Sequence, residues 1–283
     1  MRMQCKAWSP SRVLKELKSL LRYTPAMGWG TSQNFLGAWW ARLLIDRAPA
    51  IYREGIALRM LSLSPHYIFD KDGRVWVPGG VLQKEAQRNR VSRRQIVHDV
   101  IRPHISPGDV VVDYGCGPGY MAVEAALFAK CVIACDVSEG ALACARVLNG
   151  APNIRYVNVI RASEYEGVAD LAYSFAVAQH LRDAVLSEAL RTVHHMLRPG
   201  GRLLMHVVIN GVGWKSEADW LGDTSLRGRV KLRCGLDCFS RSPERMLSLA
   251  EGAGFSHCRF LPLAGLTSVH DDVAHQHLLY CQA

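Results

Sequence analysis

No stretch of the 283-residue chain stays apolar for the roughly 20 residues that a membrane-spanning helix needs. The N-terminus also lacks the apolar run of a secretory signal. The expectation is therefore a cytoplasmic protein, at most peripheral to a membrane. Cysteine is present nine times, yet no two cysteines stand as Cys-x-x-Cys. That removes the common zinc spacing, so no metal site is expected and the cysteines read as reduced thiols. Acidic residues are in deficit, with 25 Asp and Glu against 34 Lys and Arg, a net charge of +9. Such a charge suits anionic substrates, acidic membranes or nucleic acid without choosing among them. A hydrophobic content of 49% excludes a disordered chain.

Two phosphate motifs are also missing. The run Val110 to Val112 reads as a strand buried on both faces, interrupted by Asp113 and followed by Gly115, Gly117 and Gly119 at alternate positions. Glycines so placed let backbone approach a ligand closely. The dinucleotide fingerprint, however, needs its third glycine where Tyr120 stands, and a Walker loop needs Lys-Ser/Thr where Tyr120 and Met121 stand. A second apolar strand, Lys130 to Asp136, ends in a carboxylate about twenty residues after the loop begins, where an acid can accept from a ribose diol. Asp136 taken alone equally reads as the N-cap of a helix over 137–148.

Together, Asp113, the three glycines and Asp136 resemble the class I S-adenosylmethionine-dependent methyltransferases. The resemblance covers about residue 95 to the end and implies an α/β, Rossmann-like methyltransferase fold. That fold is a mostly parallel seven-stranded sheet with helices on both faces, here with a mainly helical N-terminal extension. It implies S-adenosyl-L-methionine as cofactor, its methionyl part held by Asp113, Gly115, Cys116, Gly117 and Gly119. Asp136 and Val137 would hold the ribose end. Relatives usually carry an acid after strand three for the adenine; here Ile160 and Arg161 stand there, leaving Ala162 and Ser163 for that contact and Glu164 displaced. Ser174 to His180 matches the segment that passes beside the sulfonium. The Leu-Arg-Pro-Gly-Gly run before strand five adds to the likeness.

Around that centre the chain divides into a cap or substrate region over 1–94 and a cofactor domain over 95–283. In the first, residues 9–22 read as a basic amphipathic helix able to touch an anionic membrane, although packing on the same chain is the commoner use. Helices are expected over 35–48 and 51–63, a hairpin over 66–77, and a basic helix over 81–101. In the second, strands fall at 153–159, 170–175, 202–209, 258–263 and 277–282, with helices at 183–197 and from Pro243, and Pro199 to Gly201 stopping the first of these. The stretch 210–239 reads as a long irregular segment covering the substrate, and its alternating Arg227, Arg229, Lys231 and Arg233 fit equally one face of an edge strand.

His180 is the first candidate general base, because an imidazole titrates near neutrality and its place lies beside the sulfonium. His206 and Tyr67 are weaker candidates. No Asp/Asn-Pro-Pro-Tyr/Phe motif follows strand four, so the acceptor is expected to be a small molecule or lipid, methylated at oxygen. Two other readings stay open: an RNA methyltransferase, from the charge, and a non-catalytic S-adenosylmethionine-binding protein, from the missing third-strand acid.

Overall fold

Parallel pairing of one central strand with two neighbours sets the architecture in this computed structural model, which describes residues 43–63, 67–68, 77–211, 213–234, 237–267 and 275–283. Strand β1 (Val110–Tyr114) lies between β2 (Cys131–Asp136) and β4 (Ala169–Ser174), parallel to both. With β3 (Ile154–Asn158), β5 (Leu197–Val208), β6 (Ser256–Pro262) and β7 (Gln276–Gln282) they form a seven-stranded sheet of order β3-β2-β1-β4-β5-β7-β6. Strand β7 runs antiparallel to both its neighbours. The order reverses at β1, so β1 and β4 diverge to opposite sides of a crevice at their C-terminal ends, where open α/β sheets bind ligands.

Alternate residues of the strands face opposite layers. Val112, Ala172 and Leu203 pack on one side, against Leu186, Leu190, Val193 and Met196 of α5, defined below. Val111, Leu171, Tyr173 and Leu204 pack on the other. The helices are α1 (Ala50–Ser62), α2 (Leu82–Ile96), α3 (Tyr120–Ala125), α4 (Glu139–Leu148), α5 (Asp183–Met196), α6 (Glu217–Leu221), α7 (Leu226–Cys234) and α8 (Pro243–Glu251). The spacing of the four apolar residues on α5 puts them on one stripe, which is why that segment is a sheet-covering helix. Helix α2 continues through position 94 into a π turn over Val97–Ile101, and α1 buries Ala57 and Leu61 in a cluster that includes Ala143 and Cys144 of α4.

The sequence-based expectation differs from the structure at several places. Strand β5 begins at Leu197 and runs through Pro199 and Gly201 instead of after them. The pairing with β4 shifts register between Ala169 and Leu171, and such a bulge accommodates a residue with no N–H to give. Residues 210–239 are not wholly irregular, because a Ser216–Asp219 capping box starts α6 and Ser225 accepts from the Gly228 amide at 3.0 Å at the start of α7. Arg227, Arg229, Lys231 and Arg233 therefore ride a helix and not an edge strand. The 9–22 helix, most of the 35–48 helix including Trp39 and Trp40, and most of the 66–77 hairpin lie outside the described residues.

Candidate cofactor and active site

Three glycines shape the turn that follows β1. Gly115, Gly117 and Gly119 have φ of +83°, +51° and +77°, a backbone region that side chains rarely tolerate. Space is short as well: a Cβ at Gly119 would lie 2.3 Å from the Tyr156 hydroxyl oxygen, and one at Gly115 would lie 2.4 Å from a Val177 methyl. The glycines are thus required by close packing of this chain on its own loop. Asn149 secures the loop from below, donating through Nδ2 to the Pro118 carbonyl at 2.7 Å.

The loop's amides are already used. Gly115 and Cys116 N–H both donate to the Cys135 carbonyl, at 2.8 and 2.9 Å, and Gly119 N–H donates to the Cys116 carbonyl at 2.9 Å. Gly117 N–H donates to Asp136 Oδ2 at 2.8 Å, and Pro118 has none to give. The four amides of residues 115, 116, 117 and 119 are thus satisfied within the chain and are not offered to a phosphate. What the site presents are acceptors, as a ligand carrying an ammonium and hydroxyl groups requires.

Both carboxylates are buried beside the loop. Asp113 is 2% exposed, burial pushes it up to about 7, and its Oδ2 has no hydrogen-bond partner. Asp136 accepts from Ser138 N–H at 2.8 Å through Oδ1 as well as from Gly117. Burial raises it too, against those backbone donors. The N-cap of α4 is Ser138, which accepts from Ala141 N–H; Asp136 does not cap that helix. Each Asp136 oxygen retains a second lone pair for a ribose hydroxyl. Ser174 is buried at the end of β4 with its hydroxyl oxygen unpartnered. Buried Asp113, beside the Tyr173 hydroxyl, and the unpartnered Ser174 hydroxyl next to this loop fit the cofactor that the sequence implies.

The other expected contacts separate. Val137, next to Asp136, is half exposed after β2, and Ile160 is 86% exposed after β3. Ala162 is fully buried in the sheet-facing core and has only backbone to offer, whereas Ser163 is exposed. Glu164 pairs with Arg161 at 2.7 Å and faces solvent. The Cys116 thiol is buried, and burial pushes it well above its ordinary value, so it contributes shape and not charge.

Family comparison reports the same centre. Residues 111–201 match the methyltransferase domain family. That stretch is a methyltransferase domain. The domain match spans about a third of the chain. A ribosomal protein L11 methyltransferase from Thermotoga neapolitana is 40% identical over 99 residues, 33% of this chain and 36% of the relative. A tRNA (carboxymethyluridine(34)-5-O)-methyltransferase from Saccharomyces cerevisiae is 31% identical over 35% of each chain. A malonyl-[acyl-carrier protein] O-methyltransferase from Serratia marcescens is 30% identical over 37% of this chain and 40% of the relative. The chain thus spans between a third and two fifths of the length of these curated relatives.

Of the histidines, His180 sits on the turn after β4, half-buried, with Nδ1 2.9 Å from the Asp237 carbonyl. A carbonyl can only accept, so Nδ1 carries the proton in that bond. Burial lowers the His180 pKa, which keeps the ring neutral at pH 7. His206 is placed differently. Its Nδ1 faces Ala176 N–H at 3.3 Å, its Nε2 faces Gln276 Oε1 at 3.0 Å, and the ring stacks on Phe175 at 4.3 Å. With both nitrogens engaged it braces the β4–β5 crevice and makes a poor base. Tyr67 lies against the loop, 3.0 Å from where a Gly117 Cβ would be, and burial beside Asp136 holds its hydroxyl protonated.

The sequence reading missed the segment that holds His180 in place. Phe239 N–H donates to the Gln179 carbonyl at 2.8 Å. Arg241, its side chain 5% exposed, donates to Asp183 at 2.7 Å, to the Ala178 carbonyl at 3.0 Å and to the Leu181 carbonyl. Nothing in the spacing of Asp237, Phe239 and Arg241 signals this, because the contacts join residues about sixty positions apart.

Proposed function

We propose that this chain transfers a methyl group from S-adenosylmethionine to a hydroxyl oxygen of a small-molecule or lipid acceptor, with His180 receiving the hydroxyl proton. Asp113, Gly115, Cys116, Gly117, Gly119 and Ser174 would hold the methionyl part, and Asp136 and Val137 the ribose. Bound there, the cofactor supplies an activated methyl carbon, which forms a bond to the acceptor oxygen as the C–S electron pair stays on sulfur. The chain's own contribution is to position the acceptor and exclude water, and to hold a proton-accepting imidazole.

The observation that supports this best is the His180 ring. It is neutral, fixed by a backbone carbonyl through one nitrogen, and stands on the turn that leaves Ser174. That arrangement suits removal of a proton from oxygen, whereas transfer to a deprotonated carboxylate needs no such base. The relatives named above are named for a ribosomal protein, a tRNA and a malonyl-[acyl-carrier protein], so their names do not converge on one acceptor.

His180→Gln is expected to reduce transfer of the labelled methyl group of S-adenosylmethionine by about 100-fold or more, the range for one general base. Affinity for S-adenosylhomocysteine should stay within about twofold, since the ring makes no bond to Asp113 or Asp136. Equal turnover by wild type and variant across pH 5–8 would remove His180 from this role.

A further inference from the structure

The glycine loop leaves one group of S-adenosylmethionine without a partner. The buried carboxyls and the Ser174 hydroxyl suit its ammonium and ribose hydroxyls, but its methionyl carboxylate needs donors. The amides of residues 115, 116, 117 and 119 are all taken within the chain. A cation from outside the loop has to meet that charge.

Helix α2 brings one. Its contacts with α3 follow in order along both segments: Arg90 lies 5.7 Å from the Tyr120 ring centroid, Arg94 pairs with Glu124 at 3.5 Å, and His98 meets Phe128 just beyond α3. The two helices therefore point the same way. Because α3 starts right after Gly119, the earlier turns of α2 stand at the loop end of the sheet. Ala86, Asn89, Ile96, Val97 and Val100 form the buried face of α2 and its π turn. Of these, Ile96 and Val97 share a cluster with Cys116 of the loop and Phe175 after β4. Position 93 falls on the same face, four residues after Asn89 and four before Val97, one turn nearer the loop end.

Arg93 is thus a half-buried guanidinium where the helical period calls for an apolar side chain. Among the described residues it pairs with no acid, and its hydrogen bond goes to Ser92 Oγ at 3.4 Å. Arg88, by contrast, has Glu85 at 2.8 Å, and Arg94 has Glu124. Burial and the neighbouring Arg88 both press the Arg93 pKa down. A guanidinium keeps its proton even so. A poorly solvated cation without a counter-ion favours an anionic partner.

We propose that Arg93 receives the methionyl carboxylate of the cofactor, offering a fork of N–H donors to its two oxygens. This rests on the methyltransferase reading above and adds the residue that reads the anionic end of the ligand. It also extends the cofactor site into the 1–94 region.

The test is calorimetry on the full chain with S-adenosylhomocysteine and with its decarboxylated analogue, which keeps the adenosine, the sulfur and the ammonium. Wild type should bind the analogue about 10- to 100-fold more weakly, the range for a hydrogen bond to a charged group. Arg93→Met should lose about the same factor for S-adenosylhomocysteine, while its affinity for the analogue stays equal or rises, because a cationic ligand no longer faces an arginine. Arg93→Lys, which keeps the charge and loses the fork, should fall between the two. Without ligand, Arg93→Met should unfold at the same urea concentration as wild type or higher, since an unpaired charge has left a buried face. The assignment is overturned if the wild type binds both ligands alike, if either variant weakens both ligands equally, or if Arg93→Met keeps wild-type affinity for S-adenosylhomocysteine. Failure of the folded wild type to bind either ligand would instead overturn the methyltransferase reading and, with it, this assignment.

Discussion

Asp136→Ala is expected to weaken S-adenosylhomocysteine binding by about 100-fold, because two hydrogen bonds from ribose hydroxyls to a charged carboxylate together contribute about 3 kcal/mol. Part of the effect is indirect. The carboxylate now accepts Gly117 N–H and Ser138 N–H, both at 2.8 Å. Its removal leaves two donors unpaired at the loop and at the start of α4, which costs about 1–3 kcal/mol each where they stay dry. The variant should therefore unfold at lower urea as well as bind poorly. Asp136→Asn separates the two effects, since its amide oxygen can still accept one of these amides. Calorimetry on both variants reads the difference, and an affinity within threefold of wild type for Asp136→Ala would remove this residue from the ribose site.

Arg241→Met should cost about 2–5 kcal/mol of folding stability, because two backbone carbonyls lose their buried donor at about 1–3 kcal/mol each. The guanidinium has three roles at once. It neutralises Asp183, satisfies the Ala178 and Leu181 carbonyls, and lies 5.7 Å from the Phe239 ring centroid. Methionine replaces the aliphatic stem and none of the donors. Asp183 would keep its 2.7 Å pair with the exposed Arg245, so the loss falls mainly on the two carbonyls and on the turn between β4 and α5. A melting temperature lower by about 10 °C is the expected reading for a domain of this size. A loss under about 1 kcal/mol by urea titration would show that the clamp is dispensable.

How far the sequence foretold this depends on the range of the interactions. The strand and helix series after residue 95 was readable because each element carries its own period, as the α5 stripe and the Val110–Val112 run do. The turn after β1 was readable because Gly115, Gly117 and Gly119 act through local backbone geometry. The two short helices after β5 were not, since their starts depend on single caps at Ser216 and Ser225 inside a stretch without clear apolar period. Least readable was the turn holding His180. Its partners Asp237, Phe239 and Arg241 are local in space and remote in sequence, and a lone buried aspartate after a polar loop looks like any turn residue. The same limit applies to His206, which a strand-end position makes look catalytic until Gln276 and the Ala176 amide are seen around it.

The most direct measurement is titration calorimetry of the full chain with S-adenosylhomocysteine near pH 6, repeated in two buffers of different ionisation enthalpy. Burial raises both Asp113, to about 7, and Asp136 before ligand arrives. Asp113, at about 7, holds most of its proton in the unliganded protein at that pH, and the ammonium donors of the ligand favour its ionised form. Binding in the micromolar range, worth about 8 kcal/mol, should therefore release up to about one proton to the buffer, and the release should fade by pH 8.5. Saturable binding whose heat changes with the buffer in that sense is the predicted result. Absence of binding by the folded chain would contradict the cofactor site itself, and binding with no proton release would contradict the part given to the buried carboxylates.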